Sequence, residues 1–168
     1  MVSVSGKIDE SVFIGEGAVI TGKVSIGKDS NVWYNAVLRA EHEVIEIGEE
    51  TSIQDCSVLH NEDGFPLIVG NGCTIGHSVI LHGCTIGNNT MIGMGSTVMN
   101  GAVVGDNCIV GAGSLVTQNT VIPDGSIVLG SPAKVIRPVS EKDIQSIIYS
   151  KEAYLVKSKK AMEGIYEY

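Results

Sequence analysis

Residues 86–128 read, in blocks of six, IGNNTM, IGMGST, VMNGAV, VGDNCI, VGAGSL, VTQNTV and IPDGSI, followed by Val128. Every block opens with an aliphatic residue, the anchor, and has a small side chain four positions later. Since six is not a multiple of the 3.6-residue helical turn, this period excludes an amphipathic helix and predicts a repeated short strand and corner. One such unit cannot bury its anchor alone. We therefore expect an all-β fold, a parallel β-solenoid whose coils stack about 4.8 Å apart.

The same step extends towards the N-terminus, so the repeat covers roughly residues 8–133. It is interrupted three times: three residues are added between Leu38 and Ile47, four are added between Leu59 and Val69, and one is missing between Leu81 and Ile86. All four histidines lie at or near these interruptions: His42, His60, His77 and His82. Irregularity concentrated in one part of a regular repeat is expected where function overrides packing.

Composition restricts the possible partners. The 168 residues are the size of one domain, and the formal net charge of −8 argues against nucleic acid, which requires clustered Lys and Arg. No leader-like segment and no apolar run of about 18 residues is present, so we expect no membrane association and a cytoplasmic protein. The four cysteines are expected to be free structural thiols, because Cys73 and Cys108 occupy the small-residue position of the repeat.

The C-terminal segment has a different pattern. Ser140, followed by Glu141 and Asp143, is typical of a helix start, and a helix is predicted from residue 140 to about 164. We expect a β-helix domain over residues 1–138 and, over 139–168, a helix packing on it. The apolar residues at helical spacing are Ile144, Ile147, Ile148, Leu155 and Met162.

If three repeats make one coil, residues at equivalent positions three anchors apart lie directly above one another on adjacent coils. We therefore count anchors instead of residues. The predicted stack pairs each anchor with the outward residue after it: Leu38 with Arg39, Leu59 with His60, and Leu81 with His82. His60 and His82 would then lie about 4.8 Å apart on adjacent coils. Two imidazoles at that separation can reach one ion at about 2.0–2.1 Å.

His77 is predicted to stack in another column, with Tyr34 and Asp55, on the preceding face. It precedes His82 by five residues and projects from another side of the coil, so we expect a neighbouring chain to supply it. A closed three-fold assembly would then create three equivalent sites. Three neutral imidazoles with an open position are typical of a catalytic zinc site.

These segments resemble the gamma-class carbonic anhydrases and their relatives among the hexapeptide-repeat proteins. The resemblance covers nearly the whole chain and is carried by Asn35-Ala36-Val37-Leu38-Arg39, Ile53-Gln54-Asp55, Leu59-His60, Ile75-Gly76-His77 and Leu81-His82-Gly83-Cys84. It implies a left-handed β-helix of triangular cross-section and a homotrimer with metal sites at its subunit interfaces. It also implies zinc, with iron or cobalt as alternatives, bound by His60 and His82 of one subunit and His77 of the next.

The resemblance further implies an activity, in which metal-bound hydroxide attacks carbon dioxide, a small-molecule substrate, to give bicarbonate. Gln54 matches a glutamine near the metal-bound water, while Arg39 and Asp55 match residues of the interface network. Tyr154 matches a tyrosine that overhangs the site, and Glu62 or Asp63 is the candidate proton shuttle.

The chain departs from the family pattern at two places. Arg39-Ala40-Glu41 stands where relatives have Arg-Gly-Asp, so the intersubunit ion pair would need a longer carboxylate. The loop between His60 and Leu67 is short. Two alternatives remain: a hexapeptide acyltransferase or other acyl-CoA enzyme, and a non-catalytic metal-binding trimeric scaffold.

Overall fold

A computed structural model describes residues 1–165 of the chain, so the last three residues of the predicted C-terminal unit, 166–168, lie outside the described part. The strands, in chain order, are β1 (Val2–Val4), β2 (Phe13–Ile14), β3 (Val19–Ile26), β4 (Asn31–Val32), β5 (Val37–Ile47), β6 (Ser52–Ile53), β7 (Val58–His60), β8 (Leu67–Val69), β9 (Thr74–Ile75), β10 (Ile80–His82), β11 (Thr85–Ile86), β12 (Met91–Ile92), β13 (Thr97–Val98), β14 (Val103–Val104), β15 (Ile109–Val110), β16 (Leu115–Val116), β17 (Val121–Ile122), β18 (Ser126–Gly130) and β19 (Ala133–Pro138). One helix follows, α1 (Glu141–Met162).

The coils stack in parallel and form three faces, which we number in the order the chain crosses them. Face 1 carries the first halves of β3 and β5, then β7, β10, β13 and β16. Face 2 carries the second halves of β3 and β5, then β8, β11, β14 and β17. Face 3 carries β2, β4, β6, β9, β12, β15 and β18. The predicted β-solenoid is confirmed, and its anchors fill the core with exposures close to zero.

The register agrees with the count of anchors. Leu38 pairs with Leu59 and Leu59 with Leu81 on face 1. On face 3, Ile53 pairs with Ile75. The predicted columns of stacked residues are therefore present, and the outward positions after these anchors stack as well.

Apart from the corners after Ile8 and Ile20, each regular corner contains a residue in the left-handed backbone region, three positions after the anchor. These residues have φ between 49° and 77°, a region that glycine and asparagine adopt at the lowest cost. At Gly101 a Cβ atom would also collide with the side chain of Asn119 one coil above. The corner residues are Gly17, Asp29, Asn35, Glu50, Cys56, Gly72, Ser78, Asn89, Gly95, Gly101, Asn107, Gly113, Asn119 and Gly125.

The small residue four positions after the anchor is buried and links successive coils. Thr90, for example, donates its hydroxyl to the carbonyl of Gly105 at 2.7 Å and accepts from the amide of Cys108 at 3.0 Å. Cys73 occupies the same position, and its thiol donates to the carbonyl of Gly87 at 2.9 Å. Burial raises the pKa of Cys73 to about 12, so this cysteine is structural.

The helix α1 lies against face 3, where it contacts β2, β4, β6 and β9. Ser140 caps its N-terminus in a capping box with Asp143, as the sequence predicts. Its buried side includes Ile147 and Ser158, whereas Ile148 and Met162, which we expected in the apolar stripe, are exposed. In the part of the chain described, residues 1–165, no helix is both long and apolar enough to cross a membrane.

Two elements differ from the expectation of uniform short strands. Strand β5 runs for 11 residues through the first interruption, and the extra residues form an irregularity opposite Gly22–Val24. At the other end, β18 and β19 form an antiparallel hairpin that extends β18 beyond the repeat. The segment after Gly130, near the end of the repeat, thus adds an edge strand to face 3.

Candidate metal centre

The side chains of His60 and His82 meet on face 1. Their backbones pair in register on β7 and β10, and Arg39 on β5 pairs below His60. The ring centroids are 4.9 Å apart, and Nδ1 of His60 lies 2.9 Å from Nε2 of His82. Stacked outward positions on parallel strands therefore bring two imidazole nitrogens to one point.

The His82 ring is held from its other side by Asn100, in the corner one coil above. Nδ1 of His82 contacts Oδ1 of Asn100 in a short hydrogen bond. The amide nitrogen of Asn100 in turn donates to Oε2 of Glu62, in the second interruption, at 2.7 Å. The predicted candidate Glu62 thus lies two contacts from His82, in an exposed position.

The buried Nε2 atom of His60 has no hydrogen-bond partner among residues 1–165. The nearest acidic group is Glu41, whose Oε1 atom lies 3.6 Å away and which also forms an ion pair with Arg39. Burial lowers the pKa of His60, and the neighbouring Arg39 charge lowers it further. The ring is therefore kept neutral, which is the form that binds metals. In this single chain, the carboxylate paired with Arg39 belongs to the same subunit.

The donor set fits a metal ion. Two nitrogen ligands of a tetrahedral zinc, each about 2.0–2.1 Å from the ion, lie about 3.3 Å apart, close to the 2.9 Å between His60 and His82. A neutral His60 carries one proton. If the proton is on Nδ1, the buried Nε2 lone pair has no donor. If it is on Nε2, two lone pairs face one another whenever His82 is protonated on Nδ1, and a cation between Nδ1 of His60 and Nε2 of His82 would satisfy both. In the first arrangement a cation would bind at Nε2 of His60 instead.

His77 lies on another face, in the corner after β9. Its Nδ1 atom is 2.8 Å from a carboxylate oxygen of Asp55, one coil below, and its Nε2 atom is 3.2 Å from the Tyr154 hydroxyl of α1. The Asp55 contact orients the ring as a carboxylate does behind a metal-binding histidine. Burial raises the pKa of Tyr154, and the Asp55 charge adds to the shift, so the hydroxyl stays protonated and can donate.

A cavity of about 320 Å³ beside His77 is lined by Gln54, Met94 and Tyr154 among others. Gln54 is buried, at 4% exposure. The structure therefore groups the predicted residues into two sets. Arg39, His60 and His82 lie on face 1, with Glu62 in the loop that follows β7. Gln54, Asp55 and His77 lie in the corners after the strands of face 3, with Tyr154 of α1 beside them.

The two sets do not merge within one chain. Among residues 1–165, no group of three or more His, Cys, Asp or Glu side chains is close enough to hold a metal ion. The sequence count placed His60 beside His82 and separated His77 from them, and the geometry of the single chain agrees with that count.

Two contacts at the corner between faces 1 and 2 were not predicted from the sequence. His42, to which the count of anchors assigns no partner, has its Nδ1 atom 3.2 Å from Oδ1 of Asp63, because the two interruptions stack on one another. Asn100 carries no motif of its own. A signal was nevertheless available, since the count places Asn100 one coil above Gly83, the residue after His82.

Face 1 is apolar beside the histidines. The outward side chains of Val58 and Ile80, one residue before the two anchors, remain 38% and 42% exposed. They stack on adjacent coils and form a continuous apolar strip with Val37. Face 3 is covered by α1 over several of its coils, whereas this strip is uncovered in the single chain.

Comparison with known proteins gives matches over most of the chain. The family model described as "Bacterial transferase hexapeptide (six repeats)" matches residues 66–100 and 83–118. The chain is 52% identical over 140 residues to the "Probable carbonic anhydrase" of Methanocaldococcus jannaschii, covering 83% of this chain and 88% of that protein. It is 41% identical to "Gamma carbonic anhydrase 1, mitochondrial" of Arabidopsis thaliana, covering 88% of this chain and 56% of that protein.

Among solved structures, a "putative acetyltransferase" of Bacillus cereus superposes with a TM-score of 0.90. It is 39% identical, and the alignment covers 90% of this chain and 88% of that chain. The similar proteins thus include two named as carbonic anhydrases and one named as an acetyltransferase.

Proposed function

The chain belongs to the gamma carbonic anhydrase-like family of hexapeptide-repeat proteins, and from this premise we propose that it is a metal-dependent carbonic anhydrase. The proposed reaction is the hydration of carbon dioxide to bicarbonate at a site shared by two subunits of a homotrimer. The observation that carries the proposal is the His60–His82 pair, with nitrogens 2.9 Å apart and a buried Nε2 atom without a partner.

In this proposal His60 and His82 of one subunit and His77 of the next hold the ion. The ion is zinc, with iron or cobalt as alternatives. When bound, such an ion supplies hydroxide near neutral pH, because it lowers the pKa of water to about 7. The structure supports the assignment of His77 through its contact with Asp55, which orients the ring so that Nε2 faces the Tyr154 hydroxyl.

The chain's own groups would bind and orient the substrate. Gln54 is buried in the cavity beside His77, where its amide can hydrogen-bond an oxygen of carbon dioxide. Tyr154 lies at the same cavity on α1 and screens it from water. Removal of the proton to buffer falls to the loop at residues 61–66, where Glu62 and Asp63 are exposed.

A trimer is proposed because the two sets of residues lie on different faces and need a second chain to meet. The exposed apolar strip of Val58 and Ile80 beside the histidines supports this arrangement, since association would bury it. Face 1 of one subunit would then meet the corner of its neighbour that carries His77.

The test combines metal analysis with a carbon dioxide hydration assay on the purified protein. We expect about one metal ion per chain and hydration activity that is lost in His82→Ala together with the metal. The matched control is His42→Ala, a histidine of the same corner that we expect to keep its metal. Metal retained in His82→Ala, or full metal occupancy with no hydration above background, would contradict the proposal.

An acyltransferase is the second candidate, favoured by the transferase description of the family model and by the name of the Bacillus cereus structure. Such an enzyme would bind acetyl-coenzyme A and would not need paired His60 and His82. Calorimetric titration with acetyl-coenzyme A distinguishes the two, since the carbonic anhydrase proposal expects no binding. Metal binding without either activity would indicate a non-catalytic scaffold.

A further inference from the structure

A chain of three polar side chains leads away from the proposed metal site on face 1. It starts at His82, continues through Asn100 in the corner one coil above, and ends at Glu62 in the loop between β7 and β8. Asn100 and Glu62 are 38 residues apart in sequence and meet because the second interruption projects towards the coil that carries Asn100. Of these three side chains, that of Asn100 has no role in the proposed reaction.

The contacts determine which way the Asn100 amide points. An ionised carboxylate can only accept hydrogen bonds, so Glu62 requires the NH₂ group of Asn100, here at 2.7 Å. The carbonyl oxygen of Asn100 must therefore face His82. Because that oxygen carries no hydrogen, Nδ1 of His82 must donate to it.

The orientation of the amide in turn fixes the proton on the imidazole. A neutral histidine has one N–H group, and placing it on Nδ1 leaves Nε2 as a lone pair. Nε2 is the atom that faces His60 across 2.9 Å. Without Asn100, the proton could occupy Nε2 and the nitrogen would have to lose it before binding a cation.

We infer that Asn100 is a positioning residue which, held by Glu62, fixes His82 as the Nδ1–H tautomer and presents its Nε2 lone pair to the metal. This inference rests on the proposed metal site but assigns a function to two residues outside the ligand set. It also gives Glu62 a structural task that is independent of proton transfer to buffer. Groups behind a metal-binding histidine commonly act in this way.

The first measurement uses the metal-free protein, so it does not depend on the proposed function. Nitrogen-15 chemical shifts of the His82 ring distinguish the two tautomers directly. We expect Nδ1–H in the unaltered chain and a mixture of tautomers in Asn100→Leu. Asn71→Leu is the matched control, because Asn71 also lies two residues after an anchor, but on another corner, where its side chain accepts from the backbone amide of Glu49.

The second measurement is the affinity for zinc, obtained by competition with a chelator. Loss of a group behind a metal-binding histidine typically weakens metal affinity by about 10- to 100-fold, and we expect that loss in Asn100→Leu but not in Asn71→Leu. The double variant Asn100→Asp with Glu62→Gln exchanges donor and acceptor, so it should restore the Nδ1–H tautomer and most of the affinity. Asn100→Asp alone keeps the acceptor for His82 but repels Glu62. Its zinc affinity should therefore lie between those of Asn100→Leu and the double variant.

The outcomes separate the two proposals. If the unaltered chain binds no zinc but shows the Nδ1–H tautomer, the proposed function fails and the positioning role stands. A proton on Nε2 of His82 in the metal-free chain would overturn the positioning role. So would an unchanged tautomer and unchanged zinc affinity in folded Asn100→Leu. Should Asn100→Leu not fold, Glu62→Leu, altered only in the exposed loop, tests the same chain of contacts and should show a partial loss.

Discussion

Where the small buried residue of a repeat is serine, threonine or cysteine, its side chain holds successive coils together. Its hydroxyl or thiol donates to a carbonyl of the next coil, and in most cases it also accepts from a backbone amide there. Serine, threonine and cysteine can all do this, which explains why they interchange at the position. Removing such a group leaves buried polar atoms of the backbone without partners, and that loss costs more than the bond itself contributes.

We therefore predict that Thr90→Val, which preserves the shape of the side chain, lowers the free energy of unfolding by about 1–3 kcal/mol. The measurement is denaturant unfolding at a fixed protein concentration. Thr97→Val is the control, because Thr97 points outward on face 1 and its substitution should change stability by no more than about 0.5 kcal/mol. Equal effects of the two substitutions would show that the link between coils contributes nothing specific.

At the scale of elements, the attachment of α1 depends on a cluster of polar contacts at its start. Asp143 accepts from the Ser140 side chain and backbone, and both of its oxygens contact Arg137 at 2.6 and 3.1 Å. These contacts hold the pKa of Asp143 well below its usual range, with the Arg137 bonds as the largest cause. The ionised carboxylate therefore stabilises the helix start.

The lowered pKa of Asp143 determines how the stability of the helix start depends on pH. A carboxyl group with a lowered pKa in the folded state adds stability above its unfolded pKa of about 3.8, and the contribution is lost as the pH falls below that value. We predict that Asp143→Asn loosens α1 at pH 7 and that the difference from the unaltered chain shrinks as the pH falls from about 4 to 2.

The fluorescence of Trp33 measures this effect. Trp33 is the single tryptophan of the chain, and its ring contacts Tyr154 of α1 with centroids 5.5 Å apart. Thermal scans at several pH values would follow its detachment from the helix. Glu141→Gln, in the same turn, is the control and should keep the acid sensitivity. A constant difference between Asp143→Asn and the unaltered chain across this pH range would refute the prediction.

The elements were predictable where the repeat is regular and less so elsewhere. The six-residue period identified the solenoid and the pairing of Leu38 with Leu59 and Leu81, because anchors must stack to be buried. Strand β19 was not predicted, because its antiparallel pairing with β18 depends on the turn after Gly130. The six-residue period carries no information on that turn. The exposure of Ile148 depends on how α1 is rotated against face 3, which helical spacing alone does not determine.

The candidate site was predictable to the same extent. His60 and His82 follow anchors, so the count of repeats placed them together. The contacts of Asn100 with Glu62 and of His42 with Asp63 involve the interruptions, where the count stops and the path of the loop decides which side chains meet. The ligand roles of the three histidines stay predictions, since they concern an ion and a second chain.

At the scale of the whole molecule, the separation of His77 from His60 and His82 permits a complementation experiment. His77→Ala and His82→Ala chains, each expected to lack metal, are unfolded, mixed in equal amounts and refolded together. If a site joins two subunits of a trimer, about one quarter of the sites in the mixture combine an intact His77 from one chain with intact His60 and His82 from another. We predict metal at about that fraction of the content of the unaltered protein.

Each variant refolded alone is the control, and mass spectrometry of the intact assemblies would establish that mixed trimers form. Mixed trimers without a gain in metal would show that His77 and His82 serve the same chain's ion or separate ions. Full recovery of metal would also be inconsistent with one shared site per interface.

The corner between faces 1 and 2, which lies inside β5 and follows β7 and β10, is where the chain varies in length, while the other corners between the anchors keep one spacing. Each coil pairs only with the coils directly above and below it, so a residue inserted at this corner does not alter the register of the remaining coils. Homologous proteins could thus differ in the length and charge of the loops at 41–44 and 61–66 while keeping the same core. Evolutionary change of activity in this architecture needs few mutations, because natural selection can act on one corner without first repairing the fold.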